Sequence, residues 1–176
     1  IADYYGTIGT RFMGTAYKTY EAVDNKGRRW KCMRDASITP QRRVNGHVVD
    51  ANDEYKCEVV TPILQYEDIP DLQAIVRALV KKGAMANASC GIHVHVDASN
   101  HNRQSLKNLL SIMFSKEDIL FKALNVNPDR VAAYCKKVRE PMLQKARQLS
   151  AEETTDLTQL ESIWYEGNVE SGKHYN

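Results

Sequence analysis

The chain is poor in several residue types whose abundance would have settled its class at once. Its 176 residues include only three phenylalanines, two tryptophans and five prolines. No charge sign dominates: 24 lysines and arginines face 22 aspartates and glutamates, a net charge of +2. That near-balance gives no strong pull toward nucleic acid or a membrane surface. No apolar run reaches the length of a membrane span, and no signal-peptide pattern opens the chain. The four cysteines, Cys32, Cys57, Cys90 and Cys135, form no CxxC pair. The first three sit in strand-like apolar surroundings, so buried, reduced thiols and a cytoplasmic location are expected. No GxxxxGK[ST], GxGxxG, GxSxG or HExxH is present, which argues against P-loop, Rossmann, serine-hydrolase and zincin chemistry.

What is present concentrates in "SCGIHVHVDA", residues 89–98. Ile92, Val94 and Val96 alternate with His93, His95 and Asp97, the period of a half-buried strand. Such a strand sets the valines on a core and aligns both imidazoles and the carboxylate on the opposite face. Clusters of His and Asp suit metal or proton chemistry.

Upstream, residues 17–35 read as two strands joined by a turn at Asp24–Gly27, and 36–54 as loop. Residues 55–64 read as a third strand ending near Pro62, with Glu58 at its middle. Burying that carboxylate is costly unless a cation or a salt bridge compensates it. Asp35, at the end of the second strand, is equally compatible with an ordinary aspartate turn. Helical periodicity then runs from Asp68 to Gly83 and from Ser105 to Leu120. Asn127-Pro128 starts a third helix, Pro141 is expected to break or kink the next stretch, and Ser150-x-x-Glu153 caps a fourth helix.

Strands followed by one β-α-β unit and then helices predict an α+β fold, a mostly antiparallel sheet carrying the HxH strand with packed helices. One domain over 1–176 is expected, sheet-bearing over 1–125 and helical over 126–176. Asp35, Glu58, His93, His95 and Asp97 could then converge on one sheet face. Oxygen-rich donors with a histidine suggest magnesium or manganese with phosphate substrates. The arginines and lysines at 130, 136, 137, 139, 145 and 147 read as a solvated helix face rather than a nucleic-acid surface.

Five segments in this order and spacing, "GRRWKCMRDASI", "EYKCEVVTPIL", "NASCGIHVHVDAS", "AAYCKKV" and "IWYEG", resemble the amidoligase family. That family is grouped with the carboxylate–amine ligases of the glutamine synthetase and glutamate–cysteine ligase superfamily. The resemblance implies a partial glutamine synthetase-like catalytic domain, with ATP and Mg2+ (or Mn2+) as cofactors. It implies that an amide is made from a small-molecule or peptide carboxylate and an amine through an acyl-phosphate. Residue by residue, Glu58 matches the strand glutamate that binds metal and His93 a metal-binding histidine. His95 matches the histidine that faces the nucleotide phosphates. Asp35 matches the aspartate of an Asp-Gly-Ser segment, with Ala36 in place of the glycine, and Asp97 is expected to support His95 from behind. Relatives also carry FGxEIE before this region and RYxxLN with a Glu-x-Arg strand after it. The chain lacks both, so a central fragment with weak ATP binding is expected. The competing readings are a non-catalytic metal- or partner-binding domain, and a metal-dependent hydrolase using the HxH pair.

Overall fold

The computed structural model describes residues 1–150 and 154–166. The fold is α+β, and the chain divides into two compact units, Ile1–Gly91 and Ile92–Asn176.

In the first unit, a short helix α1 (Ala2–Tyr5) precedes β1 (Arg11–Phe12), β2 (Tyr20–Val23) and β3 (Arg29–Arg34). A hairpin of β4 (Gln41–Val44) and β5 (His47–Asp50) follows, then β6 (Cys57–Val60) and α2 (Ile69–Lys81). The main sheet has the order β1-β2-β3-β6, antiparallel throughout. The turn between β2 and β3 is built by Asp24, whose Oδ1 accepts from the backbone of Lys26 (2.9 Å) and Arg28 (2.8 Å). Gly27 supplies the left-handed residue at φ 76°. Trp30, only 1% exposed, sits on β3 and donates its indole N–H to Asp24. Arg28 then bridges Asp24 and Asp68, reaching Asp68 Oδ2 at 2.6 Å, while Lys26 Nζ meets Asp68 Oδ1 at 2.5 Å. Asp68 immediately precedes α2, so this buried ion network ties the hairpin turn to the start of that helix. Two aspartates out of water would be costly alone; the guanidinium between them compensates both.

Residues 36–54 are not simply loop, because they fold into the β4–β5 hairpin. Its turn residues Asn45 and Gly46 both take positive φ, 49° and 84°, the pairing that closes two-residue hairpins without splaying the strands.

In the second unit, α3 (Arg103–Ala123) is capped by Asn102, whose Oδ1 accepts from Ser105 N. It is followed by α4 (Pro128–Ala133), α5 (Glu140–Gln148) and α6 (Thr158–Trp164). Leu110, Val138, Met142, Leu143, Ala146 and Leu160 form the core. Pro141 does not break this region; it lies in the first turn of α5, where its missing N–H has no helical acceptor to lose. The capping box expected at Ser150-x-x-Glu153 lies partly outside the described residues, and the helix beyond it begins at Thr158.

The largest correction concerns the HxH segment. Residues 91–97 belong to no helix or strand, and among the described residues their backbone makes no hydrogen bond. The sheet therefore does not carry an HxH strand, and the expected β-α-β crossover is absent. Ile92, Val94 and Val96 are 94%, 82% and 80% exposed rather than packed. Alternation makes a segment able to be a strand; a ladder partner is what makes it one, and none of the described strands pairs with it. The thiols also depart from expectation. Cys57 is exposed, and Cys32, Cys90 and Cys135 are half-buried.

Candidate functional site

Glu58 is positioned by the β3–β6 ladder, opposite Met33. Asp35 lies just past β3, where its N–H donates to Lys56 O at 3.3 Å. Side chains two residues apart on a strand share a face, so Met33, Asp35 and Glu58 lie on one side of this sheet. The first unit thus brings two of the sequence-nominated acids onto a common surface. Glu58 is half-buried, and among the described residues no hydrogen bond or ion pair engages its carboxylate. Asp35 is held differently, since one of its oxygens accepts from Ser37 N (2.8 Å) and Ser37 Oγ (2.7 Å). That is the aspartate turn which its sequence context allowed.

The second unit carries His93 and His95 on an exposed, irregular segment, their ring centroids 6.5 Å apart and the planes at 64°. The two rings are adjacent but not converged on a point. No hydrogen bond joins Asp97 to His95 among the described residues. The Asp97 carboxylate is taken by Ser99, accepting from the backbone N–H and from the hydroxyl, each at 2.9 Å. These bonds from Ser99 hold its pKa below the ordinary aspartate value. His101, a loop histidine, hydrogen-bonds Ser105 Oγ at the start of α3 (3.0 Å).

A residue that was not nominated controls where the HxH segment begins. Asn87 donates its amide to Thr39 O and Gln41 Oε1, both at 2.9 Å, and its own oxygen accepts from Ser89 N and Oγ. Ser89 Oγ in turn accepts from Thr39 N at 2.9 Å. The chain is thereby stapled to the base of the β4–β5 hairpin two residues before the segment starts. The signal was an Asn-x-Ser triplet beside a glycine, a local side-chain-to-backbone motif.

In the first unit Glu58 offers carboxylate oxygens that no described residue engages, the donor type a hard divalent cation prefers. In the second unit His93 offers an imidazole, also a metal-binding group. Within each unit, no group of three or more His, Cys, Asp or Glu side chains forms a metal cluster among the described residues. Two open cavities lie elsewhere. One of about 310 Å3 is lined by residues including Arg42, Asp50 and Tyr55, with the Arg42 guanidinium 5.9 Å from the Tyr55 ring centre. The other, of about 470 Å3, is lined chiefly by Phe121, Val126, Pro128, Val131 and Lys137. On the basic stretch, Lys137 pairs with Asp118 and Arg139 with Glu166. No described helix is long and apolar enough to cross a membrane.

No curated protein and no solved structure matches this chain. The family model described as "Putative amidoligase enzyme" matches residues 1–176, its whole extent. The chain therefore belongs to the amidoligase enzyme family.

Proposed function

We propose that this chain contributes the metal- and nucleotide-facing residues of an ATP-dependent carboxylate–amine ligase. The observation that carries the reading is Glu58, a half-buried strand carboxylate with no partner among the described residues, in a chain that matches an amidoligase family model over residues 1–176. A carboxylate takes the terminal phosphoryl group of ATP, and an amine then attacks the activated carbonyl and releases phosphate. No enzyme nucleophile is needed; the protein's work is positioning and charge compensation. Glu58 and His93 would hold Mg2+ or Mn2+, and the cation supplies charge neutralisation at the phosphates. His95, two residues along the same segment, faces the nucleotide phosphates as a hydrogen-bond donor. Asp35, on the Glu58 face, contacts substrate or metal. The substrates are a small-molecule or peptide carboxylate and an amine, and the reaction belongs to the cytoplasm.

The test is amine-dependent phosphate release from ATP by a protein containing this chain. His93→Ala and Glu58→Gln should each lower it by about 10²-fold or more, the usual cost of removing a transition-state electrostatic contact. Serine replacement of Asp97, already occupied by Ser99, should leave it largely intact. Undiminished turnover in His93→Ala would remove that residue from the reaction. Zinc-dependent amide hydrolysis without ATP would replace the ligase by the hydrolase reading.

A further inference from the structure

The face of the sheet opposite Glu58 carries a cysteine on each of two neighbouring strands. The Asp35 N to Lys56 O bond marks residues 35 and 56 as a hydrogen-bonded pair. Pairs alternate along an antiparallel ladder, so Met33–Glu58 is again hydrogen-bonded. Cys32–Val59 and Arg34–Cys57 are then the intervening pairs, in which facing side chains stand closest. Cys32 and Cys57 are diagonal neighbours within this close-set half of the ladder. The right-handed twist of a sheet shortens one of its two diagonals, and Cys32 and Cys57 face each other across such a diagonal on one side of the sheet. Cys57 is exposed and Cys32 half-buried, so the pair is open to a small reagent from one side. The neighbouring Cys57 side chain, outweighing the opposing effect of burial, lowers the Cys32 thiol to about 7, from an ordinary 9.0.

We propose that Cys32 and Cys57 form a thiol–disulfide exchange site whose co-reactant is a low-molecular-weight disulfide. The Cys32 thiolate attacks one sulfur of that disulfide; a mixed disulfide forms, and the first small thiolate leaves and takes a proton. The Cys57 thiol then loses its proton and attacks the Cys32 sulfur, expelling the second small thiol. The two protein thiols are oxidised by two electrons to one Cys32–Cys57 disulfide, and the small disulfide is reduced to two thiols. The product bond staples β3 to β6. Neither of the other cysteines offers this geometry: Cys90 Sγ bonds to Asn87 Oδ1 at 3.7 Å, and Cys135 stands in the second unit. The exchange does not depend on what the HxH segment binds.

The experiment incubates the folded chain with oxidised glutathione, blocks residual thiols, and reads intact mass and cysteine-containing peptides. Expected is a cross-linked peptide joining residues 32 and 57, with no glutathione retained on either. Cys57→Ser should trap a glutathione adduct on Cys32, and Cys32→Ser should abolish the cross-link. The double variant Cys90→Ser/Cys135→Ser should form it as the wild type does. Persistent separate adducts on Cys32 and Cys57 in the wild type would overturn the proposal. So would cross-links through Cys90 or Cys135, or a pair that stays unmodified while Cys90 or Cys135 reacts.

Discussion

Strand β6 and the HxH segment each carry nominated polar residues among β-branched neighbours, yet they live in different backbone surroundings. β6 is bonded residue by residue to β3, from Lys31–Val60 to Arg34–Cys57. Residues 91–97 have no such neighbour among the described residues, and their three β-branched side chains stand in water. A glutamate on the first segment inherits a fixed position from the ladder. Histidines on the second inherit no position from a ladder; the short chain between them keeps their rings neighbours, 6.5 Å apart. The acid of the proposed site is thus set by tertiary structure and its imidazoles by local geometry alone.

The comparison can be broken most forcefully from beneath β3. Trp30→Ala removes the most buried large side chain of the first unit and should destabilise that unit by about 3–5 kcal/mol. Calorimetry should show an early transition assignable to the sheet, while amide exchange over 92–96, unprotected already, stays unchanged. A sharper contrast comes from proline. Val60 lies in a hydrogen-bonded pair, so Val60→Pro should cost roughly 3 kcal/mol, whereas Val94→Pro has no ladder bond to lose and should stay within about 0.5 kcal/mol. Equal effects in urea melts would mean that the HxH segment is paired after all.

The gentlest probe is pH, because Asp68 in the first unit and Glu117 in the second respond with opposite sign. Asp68 is held well below the ordinary carboxylate value of 3.8, first by Arg28 and then by the Gln65 backbone and Lys26. Burial alone would raise Asp24, but hydrogen bonds from the Arg28 backbone and side chain, Trp30 and the Lys26 backbone more than offset it, and its net shift is downward. Folded-state values below the unfolded ones give stability that is complete above about pH 4 and is lost as pH falls through and below it. Glu117 in the second unit is raised above 4.5, chiefly by desolvation and despite the Val138 N–H that both its oxygens accept. Its protonated form is favoured by folding, so its contribution is present below the unfolded value and disappears as pH rises through the folded one. Acidification from pH 6 to 4 should leave the first unit unchanged and strengthen the second; further acidification should weaken the first. Asp68→Asn should flatten only the lower limb.

Much of the architecture was legible because local periodicity and tertiary packing agree. Residues 17–35 became β2 and β3, the segment around Glu58 became β6, and α2 and α3 begin and end within a few residues of their capping signals. Asn45-Gly46 shows a signal present but undervalued: an Asn-Gly pair between Arg42-Arg43-Val44 and His47-Val48-Val49 is hairpin chemistry even when the flanks are charged. The HxH segment shows the reverse, a clear pattern whose outcome depends on an element that the pattern does not contain. The Asp24–Arg28–Asp68 network could not be read at all. Its members are 40 residues apart in sequence at the widest ion pair, and nothing local distinguishes them from surface charges.

Arg103 and Lys107 lie buried along α3, their charged heads resting on oxygens supplied by a later stretch of chain. Lys107 Nζ reaches Leu149 O at 2.5 Å, while Arg103 reaches Ser150 Oγ and Asp156 O at 3.2 and 3.1 Å. The short stretch after α5 is consequently a counter-ligand for two cations rather than a dispensable connector. Deleting it would strand both charges inside the helical unit, so a shortened version could not be trimmed there one residue at a time. Either both cations are replaced along with the cut, or the whole helical layer comes apart.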